Sequence, residues 1–281
     1  MSMAGPDITL GGLSVLVTGG SRGLGREMAL ALVGAGADVM ISGRSESDAL
    51  RDTVEELRAI KAGGAIAHCT ADVADHDACT AMVETAIRTF GKLDVLVNNA
   101  GLGMRQVSET FNTTPTRFWE TAPQDWTAII DANLNGAFFT ARSATQHMVN
   151  LGRGKIINIS TSAQTMVRKG YAPYGPSKAA LEAATRIWAQ DLDGTGVTVN
   201  AYLPGGASDT DFIPGGANRT GADGNLLLAS VMRNGIVWLC SPLSDGVTGS
   251  RFNARHWDAD LTPDAAAKAA KFDSCETPAI M

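Results

Sequence analysis

Residues 13–33 read LSVLVTGGSRGLGREMALALV, and this stretch decides the fold of the chain. It begins with an apolar run typical of a buried strand, passes through a turn that contains four glycines, and continues with the apolar residues of a helix. A glycine-rich turn between a strand and a helix suits the pyrophosphate of a dinucleotide, because its backbone approaches the phosphates and the helix N-terminus offers free N–H groups. Glycines also serve ordinary turns, so the motif takes its meaning from the rest of the pattern.

The rest of the chain alternates between short runs rich in Val and Ile and longer segments of helical period. The strand-like runs are Leu13–Thr18, Asp38–Ser42, Ala65–Thr70, Val95–Asn98, Lys155–Ser160 and Thr198–Tyr202, and the helical segments are Gly25–Val33, Ser47–Lys61, Asp75–Phe90, Trp126–Asn150 and Ser177–Leu192. Strands separated by helices need crossover connections, so the sheet should be parallel and covered on both faces. The sequence therefore predicts an α/β fold, a Rossmann-type doubly wound parallel sheet with helices on both faces.

The 281 residues are expected to form a single domain, because no internal repeat, low-complexity stretch or Pro/Ser-rich linker divides the chain. A composition of 44% hydrophobic and 19% charged residues is that of an ordinary globular protein. The core is expected over residues 11–253, with 254–281 as a C-terminal extension. Within this extension, Thr262–Phe272 predicts a short terminal helix and Asp273–Met281 a tail.

Charge and hydropathy exclude several classes of partner. The net charge of −6 attracts neither nucleic acid nor an anionic membrane at long range. No apolar run approaches the roughly 18 residues that a membrane span needs, and Met1–Asp7 lacks the regions of a secretory signal. We therefore expect a cytoplasmic protein whose partners are small molecules and its own copies.

The four cysteines follow no pattern that binds metal or forms a disulfide framework. They are scattered at Cys69, Cys79, Cys240 and Cys275, without the spacing of zinc ligands. Reduced thiols and no metal are expected.

The glycine loop is the predicted phosphate site. Gly19 allows a tight turn, Gly23 lets the backbone approach a pyrophosphate, and Gly25 permits close packing of the helix on the strand. Ser21, Arg22 and Leu24 complete the predicted loop.

The end of the second strand indicates which dinucleotide binds. NAD sites usually carry an acidic side chain there, whereas this chain reads ISGRS at 41–45. The guanidinium groups of Arg44 and Arg22, with the hydroxyls of Ser42 and Ser45, suit the 2′-phosphate of NADP(H), which is expected in preference to NAD(H). Alternatively, the arginines are solvated surface charges.

The third strand is followed by a pair of residues expected to contact the adenine. Asp72 would meet its edge and Val73 its face. As an alternative, Asp72 caps the helix that begins near Asp75.

Five motifs occur in an order and spacing that resemble a known family. They are TGGSRGLG at 18–25, NNAG at 98–101, NLNG at 133–136, YGPSK at 174–178 and PGG at 204–206. Over Gly11–Gly249 the chain resembles the short-chain dehydrogenases/reductases, in the branch that includes the 3-oxoacyl-carrier-protein reductases. The resemblance implies an oxidoreductase that moves a hydride between NADP(H) and a carbonyl or alcohol carbon.

The predicted acid/base is Tyr174. Lys178 follows it by four positions, which puts both side chains on one face of a helix. An ammonium near a phenol should lower the pKa of the phenol and make it a usable proton donor and acceptor. The resemblance also implies that Lys178 binds the nicotinamide ribose. On its own, such a pair is usually the surface of an amphipathic helix.

A hydroxyl and an amide complete the catalytic group that the resemblance implies. The tyrosine stands thirteen positions after Thr161 and twelve after Ser162, so either hydroxyl fits. We lean to Ser162, because a β-branched Thr is stiffer at χ1. Asn133 matches the family asparagine that holds a water in a proton relay, or else it is a structural residue that bends its helix.

The resemblance also assigns residues around the nicotinamide end of the cofactor. The cleft would be shaped by Asn98, Asn99, Ala100 and Gly101, although Asn98 would alternatively stabilise the central strand. The nicotinamide would be faced by Pro204 and Gly205. Thr210 would reach the carboxamide of the nicotinamide or the phosphates.

Three segments are expected to select the substrate: Gly103–Pro123, Gln164–Ala172 and Gly205–Asn225, the last as a lid or substrate loop. Their apolar side chains are Met104, Phe111, Phe118, Trp119, Met166, Tyr171 and Phe212, and Arg105, Arg168 and Lys169 would contact an anion. Alternatively, most of the apolar residues only pack the loops.

Members of the family are mostly tetramers, so a homodimer or homotetramer is expected. The helix that carries Tyr174 has small apolar positions for close packing between subunits, namely Ala179, Ala180, Ala183, Ala184 and Ile187. Alternatively, these residues pack against the sheet.

Two other classes of function remain. The chain would bind NADP(H) as a redox-sensing regulator without turnover, or it would be a non-redox sugar-nucleotide lyase or epimerase. The second class usually has a GxxGxxG loop and a larger C-terminal substrate domain, neither of which the sequence contains.

Overall fold

The computed structural model describes residues 8–60, 62–216, 219–221 and 224–272. The predicted tail from Asp273, with Cys275, lies outside the described residues, as do four residues of the predicted lid. Among the helices of the described ranges, none is both long and apolar enough to cross a bilayer.

The described strands form one sheet in the order β3-β2-β1-β4-β5-β6-β7-β8. The strands are β1 (Ser14–Val17), β2 (Asp38–Gly43), β3 (Ile66–Thr70), β4 (Val95–Asn98), β5 (Gly154–Ile159), β6 (Val197–Leu203), β7 (Arg251–Asn253) and β8 (Lys271–Phe272). The order reverses between β1 and β4, and in doubly wound sheets ligands bind at the carboxyl ends of the strands beside such a reversal. This edge of the sheet is where the predicted site residues lie.

Nine α-helices connect the strands in the described part of the chain. They are α1 (Gly23–Gly34), α2 (Asp48–Ala59), α3 (His76–Phe90), α4 (Pro123–Ile130), α5 (Gly136–Leu151), α6 (Ala163–Met166), α7 (Tyr174–Asp191), α8 (Arg233–Cys240) and α9 (Pro263–Ala270). A π-helical turn at Asp131–Asn135 joins α4 to α5. The segment predicted as one helix from Trp126 is therefore two helices with a wider turn between them.

Alternate residues of the central strands face opposite sides of the sheet, as strand geometry requires. Val15 and Val17 belong to one buried cluster, which includes residues of α1, α2 and α8. Leu16 and Met40 belong to a second buried cluster, with residues of α3, α5 and α7. Helices thus cover both faces, and the predicted Rossmann-type α/β fold is confirmed.

The last strand corrects the prediction of a wholly parallel sheet. β8 runs antiparallel to β7, with Arg251 opposite Phe272 and Phe252 opposite Lys271. The segment Thr262–Phe272 was expected to be one helix, but the helix ends at Ala270 and the chain then pairs with the sheet edge. A strand of two residues is too short to show the alternation by which strands are predicted.

Candidate active site

The glycine loop follows β1 and is shaped by its neighbours. Gly19 has a φ of +64°, and a Cβ there would lie 2.8 Å from the Cα of Ala100. A Cβ at Gly25 would collide with the carbonyl oxygen of Gly19. Only glycine fits these two positions, the first because of its left-handed backbone and the second because the helix approaches the loop so closely.

The Asn99 side chain fastens this loop to the end of β4. Its Nδ2 donates to the carbonyl oxygens of Thr18 and Gly19, each at 2.9 Å. In return, the Thr18 hydroxyl accepts the N–H groups of Asn99 and Ala100, each at 3.0 Å. These four bonds join two neighbouring strands beside the reversal of the sheet.

The first turn of α1 is left without a side-chain cap. Arg22 occupies the N-cap position, and the turn contains no acidic residue. Helix N-termini carry unpaired N–H groups and a partial positive charge, so this end of α1 is suited to an anion. The carbonyl of Ser21 accepts the Thr53 hydroxyl at 2.8 Å, which anchors the loop to α2, while Leu24 packs against the core.

Two arginines flank the region expected to hold the adenosine end. Arg44 and Arg22 are 75% and 70% exposed, and each faces a carboxylate, that of Asp72 and that of Asp211. Arg44 Nε lies 2.9 Å from Asp72 Oδ2. Ser45 is exposed, whereas Ser42 lies within β2 and is buried.

The alternative role of Asp72 as a helix cap is wrong. The cap of α3 is Asp75, whose Oδ1 accepts the N–H groups of Asp77 and Ala78 at 2.8 and 3.1 Å. Asp72 instead accepts the N–H of Ala74 at 3.0 Å and pairs with Arg44. Val73 is buried beside the start of α5.

Helix α7 begins at Tyr174, so Tyr174 and Lys178 lie one turn apart on it. The Lys178 ammonium is buried and donates to the carbonyl of Ile159 at 2.8 Å. Burial lowers the pKa of Lys178 to about 8, while the negative charge of Glu182 acts in the opposite direction.

The expected lowering of the phenol pKa is wrong for the protein alone. Burial raises the pKa of Tyr174 to about 12, a hydrogen bond with the Thr161 hydroxyl lowers it in part, and Tyr171 adds to the rise. The physical reason is that the loss of hydration on burial outweighs the hydrogen bond, and Lys178, whose ammonium is held at the Ile159 carbonyl, is not among the causes of the shift.

The two candidate hydroxyls have different surroundings. The Ser162 hydroxyl caps α6, where it accepts the N–H of Thr165 at 3.2 Å and bonds the Thr165 hydroxyl at 2.9 Å. The Thr161 hydroxyl is the partner of the Tyr174 phenol. The structure thus brings Thr161, and not the preferred Ser162, to the phenol, because Ser162 has turned away to begin a helix.

Asn133 lies in the π-helical turn between α4 and α5 and is buried. Its Oδ1 accepts the N–H of Leu102 at 2.7 Å, and its Nδ2 donates to the carbonyl of Leu102 and to the Ser177 hydroxyl, each at 3.0 Å. The side chain therefore ties the loop after β4 to α7. π-Helical turns of this kind are frequent at functional sites.

Asn98 fits the structural alternative given for it. Its Nδ2 donates to Asn158 Oδ1 at 3.0 Å, and its Oδ1 accepts the Thr140 hydroxyl at 2.6 Å. These groups are buried between β4, β5 and α5, so Asn98 stabilises the central strands. Gly101 packs against Asn133 instead, and its neighbour Ala100 packs against Gly19.

Residues 208–213, called the strap below, cross the glycine loop. A Cβ at Gly23 would lie 3.1 Å from the Thr210 methyl group. Asp211 Oδ2 lies 3.7 Å from Arg22 Nη1, and the Phe212 ring is 5.7 Å from the Tyr174 ring. The strap therefore reaches from the phosphate loop to the phenol. Pro204 is buried and Gly205 turns with a φ of +90° where the chain leaves β6.

Two further contacts of the strap were not predicted. Arg105, expected to contact an anionic substrate, donates to the Asp211 carbonyl at 2.6 Å and pairs with Glu109. Arg219 pairs with Asp209 and Asp211. The Arg105 contact joins loops that are 106 residues apart in the chain, whereas Arg219 follows its two partners by 10 and 8 residues in the same loop.

Within the described ranges, no three His, Cys, Asp or Glu side chains gather where they would hold an ion.

Comparison with known proteins identifies the family. A model of the short chain dehydrogenase family matches residues 14–215. The chain belongs to this family. A short-chain type dehydrogenase/reductase of Picea abies is 38% identical over 210 residues, which are 73% of this chain and 74% of the relative. A 3-oxoacyl-(acyl-carrier-protein) reductase of Synechocystis sp. is 37% identical over 190 residues, covering 68% and 72%.

A solved structure extends the match over most of the fold. It is a short chain dehydrogenase from Burkholderia cenocepacia in complex with NADP, with a TM-score of 0.75 and 29% identity over 88% of this chain and 99% of that one. The resemblance drawn from the five motifs is thus confirmed. This short-chain dehydrogenase is an oxidoreductase that acts on CH–OH or C=O groups, and its family uses nicotinamide cofactors. These named relatives are enzymes, which gives the redox-sensing regulator no support.

Proposed function

We propose that this short-chain dehydrogenase is an NADP(H)-dependent enzyme that transfers a hydride between the nicotinamide and a carbonyl or alcohol carbon of a small molecule. One observation carries the proposal: Tyr174 and the buried Lys178 lie one turn apart on α7, and the Lys178 ammonium bonds the Ile159 carbonyl at the end of β5. Thr161 follows β5 and the glycine loop follows β1, so both lie at the carboxyl edge of the sheet, where dinucleotides bind in such folds.

The glycine loop fits a pyrophosphate. A side chain at Gly19 or Gly25 would collide with backbone, and α1 begins with an uncapped turn. The proposed binding set is Gly19, Ser21, Arg22, Gly23, Leu24, Gly25, Arg44, Ser45, Asp72, Val73, Asn99, Ala100, Gly101, Tyr174, Lys178, Pro204, Gly205 and Thr210. When bound, NADP(H) supplies or accepts the hydride, and these residues orient it.

The preference for NADP(H) over NAD(H) rests on the end of β2. Arg44 is exposed there and carries a planar guanidinium suited to a phosphate. A 2′-phosphate would compete with the Asp72 carboxylate for this group, and an exposed ion pair of that kind contributes only about 0–1 kcal/mol. The complex of the Burkholderia relative with NADP supports the same choice.

Proton transfer is assigned to Tyr174. Since the pKa of the phenol is raised to about 12, the phenol is neutral at pH 7 and holds a proton that it can donate to a carbonyl oxygen. The Thr161 hydroxyl, bonded to the same phenol, would hold the substrate oxygen and stabilise the charge that develops on it. Ser162 is the weaker candidate for this role, because its hydroxyl is engaged in the cap of α6.

Lys178 and Asn133 would return the proton. The pKa of Lys178 of about 8 makes the ammonium a proton source near neutral pH. Both N–H groups of the Asn133 amide are used by Leu102 and Ser177. We therefore assign Asn133 to the relay through the main chain of its π-helical turn, where its carbonyl oxygen would hold a water.

We further propose that the chain folds as one domain and assembles through α5 and α7. A groove of about 600 Å³ lies between α3, α5 and α7, lined by Phe138, Ile156 and Trp188 among others. Phe138, in the lining, is 45% exposed, and Ile187, which precedes Trp188 on α7, is 55% exposed. Exposed apolar surface of this kind marks a contact face. Light scattering should give a dimer or tetramer, and Ile187→Glu should dissociate it.

The function is tested by following NADPH and NADH absorbance with a panel of ketones, quinones and β-ketoacyl thioesters. NADPH consumption that depends on one of these compounds supports the proposal. A preference for NADH would contradict the roles of Arg44 and Arg22. If neither cofactor is consumed, cofactor binding is measured by fluorescence. Binding of NADPH would mean that the panel lacks the substrate, and no binding would contradict the proposed function.

A further inference from the structure

Arg251 lies behind the proposed catalytic group and belongs to none of the five motifs. It begins β7, and its side chain is only 21% exposed. Its Nη2 donates to the carbonyl oxygen of Thr161 at 2.8 Å, and its Nε donates to Glu182 Oε1 at 2.8 Å. One guanidinium thus bonds both the backbone that carries the catalytic hydroxyl and the helix that carries Tyr174 and Lys178.

Glu182 extends this contact to a third element. The Ser160 hydroxyl donates to Glu182 Oε1 at 2.6 Å, so the same carboxylate oxygen accepts from both Ser160 and Arg251. Glu182 also lies one turn after Lys178 on α7, and its charge raises the pKa of that lysine against the effect of burial. The end of β5, helix α7 and β7 are therefore joined at one carboxylate.

The backbone at Thr161 needs such support because it leaves the sheet. The N–H of Ser160 still donates to the carbonyl of Tyr202 on β6, at 2.9 Å. Thr161 is the next residue, and its carbonyl oxygen is held by Arg251. A planar guanidinium that makes two directed bonds fixes its partners in orientation as well as in distance.

The last strand holds the guanidinium from its other side. Phe272 on β8 lies opposite Arg251 in the antiparallel pair, and its ring centroid is 4.9 Å from the guanidinium carbon. Stacking of this kind restricts the guanidinium to one plane. The two-residue strand that sequence patterns did not predict therefore contacts the support of the catalytic group.

We propose that Arg251 is a positioning residue, which orients the Thr161 hydroxyl against Tyr174, and that Phe272 keeps Arg251 in place. The inference rests on the proposed function for its effect on turnover. Its geometric part, the position of Thr161, stands on the structure alone. A residue that acts only by stabilising the fold would change the unfolding temperature without changing the kcat of the folded enzyme.

The first test compares Arg251→Gln with Arg186→Gln in the full chain. Arg186 is a matched control, because among the described residues its side chain makes a single hydrogen bond, from Nη1 to the carbonyl of Gly249 at 3.5 Å. Arg251→Gln should lower kcat for NADPH-dependent reduction about tenfold or more, since small misplacements of a reacting group cost up to about a hundredfold. The KM for NADPH should stay unchanged, and Arg186→Gln should keep the wild-type kcat. Arg251→Lys should fall between wild type and Arg251→Gln, because an ammonium lacks the second directed donor.

The second test uses Phe272→Leu alone and combined with Arg251→Gln. If Phe272 acts through Arg251, the single variant should lower kcat a few-fold, and the double variant should match Arg251→Gln alone. Independent effects of the two substitutions, which would multiply, would contradict this part of the proposal.

A crystal structure of Arg251→Gln separates this inference from the proposed function. The Thr161 hydroxyl should move away from the Tyr174 phenol by about 1 Å, a displacement large enough to slow a reaction. If the wild type has no turnover but Thr161 moves, the proposed function fails and the positioning role stands. An unmoved Thr161, an unchanged kcat, an equal loss in Arg186→Gln, or a loss that follows only the unfolded fraction would overturn the positioning role.

Discussion

The cofactor half of the site and the catalytic half are built in different ways. Around the glycine loop, backbone geometry fixes the site: Gly19 and Gly25 accept no side chain, and Asn99 ties two adjacent strands together. Around the phenol, side chains from distant segments meet: Thr161 after β5 and Phe212 on the strap both contact Tyr174. Changes in the first half should therefore alter cofactor binding, whereas changes in the second should alter the chemical step.

The largest expected effect lies in the catalytic half. Tyr174→Phe removes the proton donor and should lower kcat/KM by about 10²- to 10⁴-fold, the usual range for general acid catalysis, without weakening NADPH binding. Tyr202→Phe is the matched control. Its hydroxyl donates to the Met232 carbonyl at 3.2 Å inside the core, so its loss should cost about 0.5–1.5 kcal/mol of unfolding free energy and leave kcat unchanged.

Steady-state kinetics and urea unfolding of both variants check this contrast. Loss of turnover in Tyr202→Phe, or its retention in Tyr174→Phe, would remove the proposed division between the two tyrosines.

The next effect belongs to the cofactor half. Arg44→Ser removes the guanidinium proposed for the 2′-phosphate and should raise the KM for NADPH about tenfold, because a hydrogen bond to a charged group contributes about 1.5–3 kcal/mol. The kcat at saturating NADPH and the KM for NADH should change little. Arg58→Ser, an exposed arginine at the far end of α2, is the control. An equal rise in the KM for NADPH and the KM for NADH would show that Arg44 does not bind the 2′-phosphate.

The pH dependence of the reaction tests the buried lysine. The pKa of Lys178 is lowered from 10.5 to about 8, so kcat/KM for reduction should be constant below about pH 7 and fall about tenfold by pH 9, as the ammonium loses its proton. Lys178→Arg should lower kcat and remove this pH dependence, since a guanidinium keeps its proton and cannot return one to Tyr174.

Stability should change in the opposite direction over the same range. The folded pKa of Lys178 lies below the unfolded value, so the unfolded chain binds more protons between pH 8 and 10.5, and the Lys178 contribution makes the folded state more stable as pH rises. If kcat/KM and the free energy of unfolding in urea both fell above pH 8, unfolding, and not the titration of Lys178, would cause the loss of activity.

The smallest expected effect concerns the strap, which contacts both halves of the site. Asp211 on the strap faces Arg22 at 3.7 Å, with both side chains more than half exposed, so the pair contributes about 0–1 kcal/mol at most. Asp211→Asn should lower the KM for NADPH by up to about fivefold, because Arg22 becomes free for phosphate. Glu120→Gln, which breaks another exposed pair, should not change it. A weaker NADPH affinity in Asp211→Asn would show that the strap holds the cofactor through this carboxylate.

The sequence predicted the parts of the molecule that depend on local pattern. The alternation of strands and helices, the glycine loop and the spacing of Tyr174 and Lys178 each lie within one short stretch, where periodicity is informative. The choice between Thr161 and Ser162 could not be made in this way, because it depends on where α6 begins. The pKa of Tyr174 also escaped prediction, since burial and the partner of Lys178 are properties of the folded chain.

The C-terminal region was the least predictable. The two residues of β8 show no alternation. No sequence pattern marks Arg251, because its contacts with Phe272 and Thr161 form only in the folded chain. The contact of Phe212 with Tyr174 likewise joins two segments with no shared motif. Packing between distant segments decided these features, and a single sequence does not record it.

Deuterium transfer tests the central claim most directly. The enzyme would be supplied with NADPH deuterated at one face of nicotinamide C4, and in a second reaction at the other face, together with a carbonyl compound that it reduces. Hydride transfer predicts one deuterium on the carbinol carbon of the product from one of the two labelled cofactors and none from the other. Product without deuterium from either cofactor would contradict hydride transfer by this enzyme.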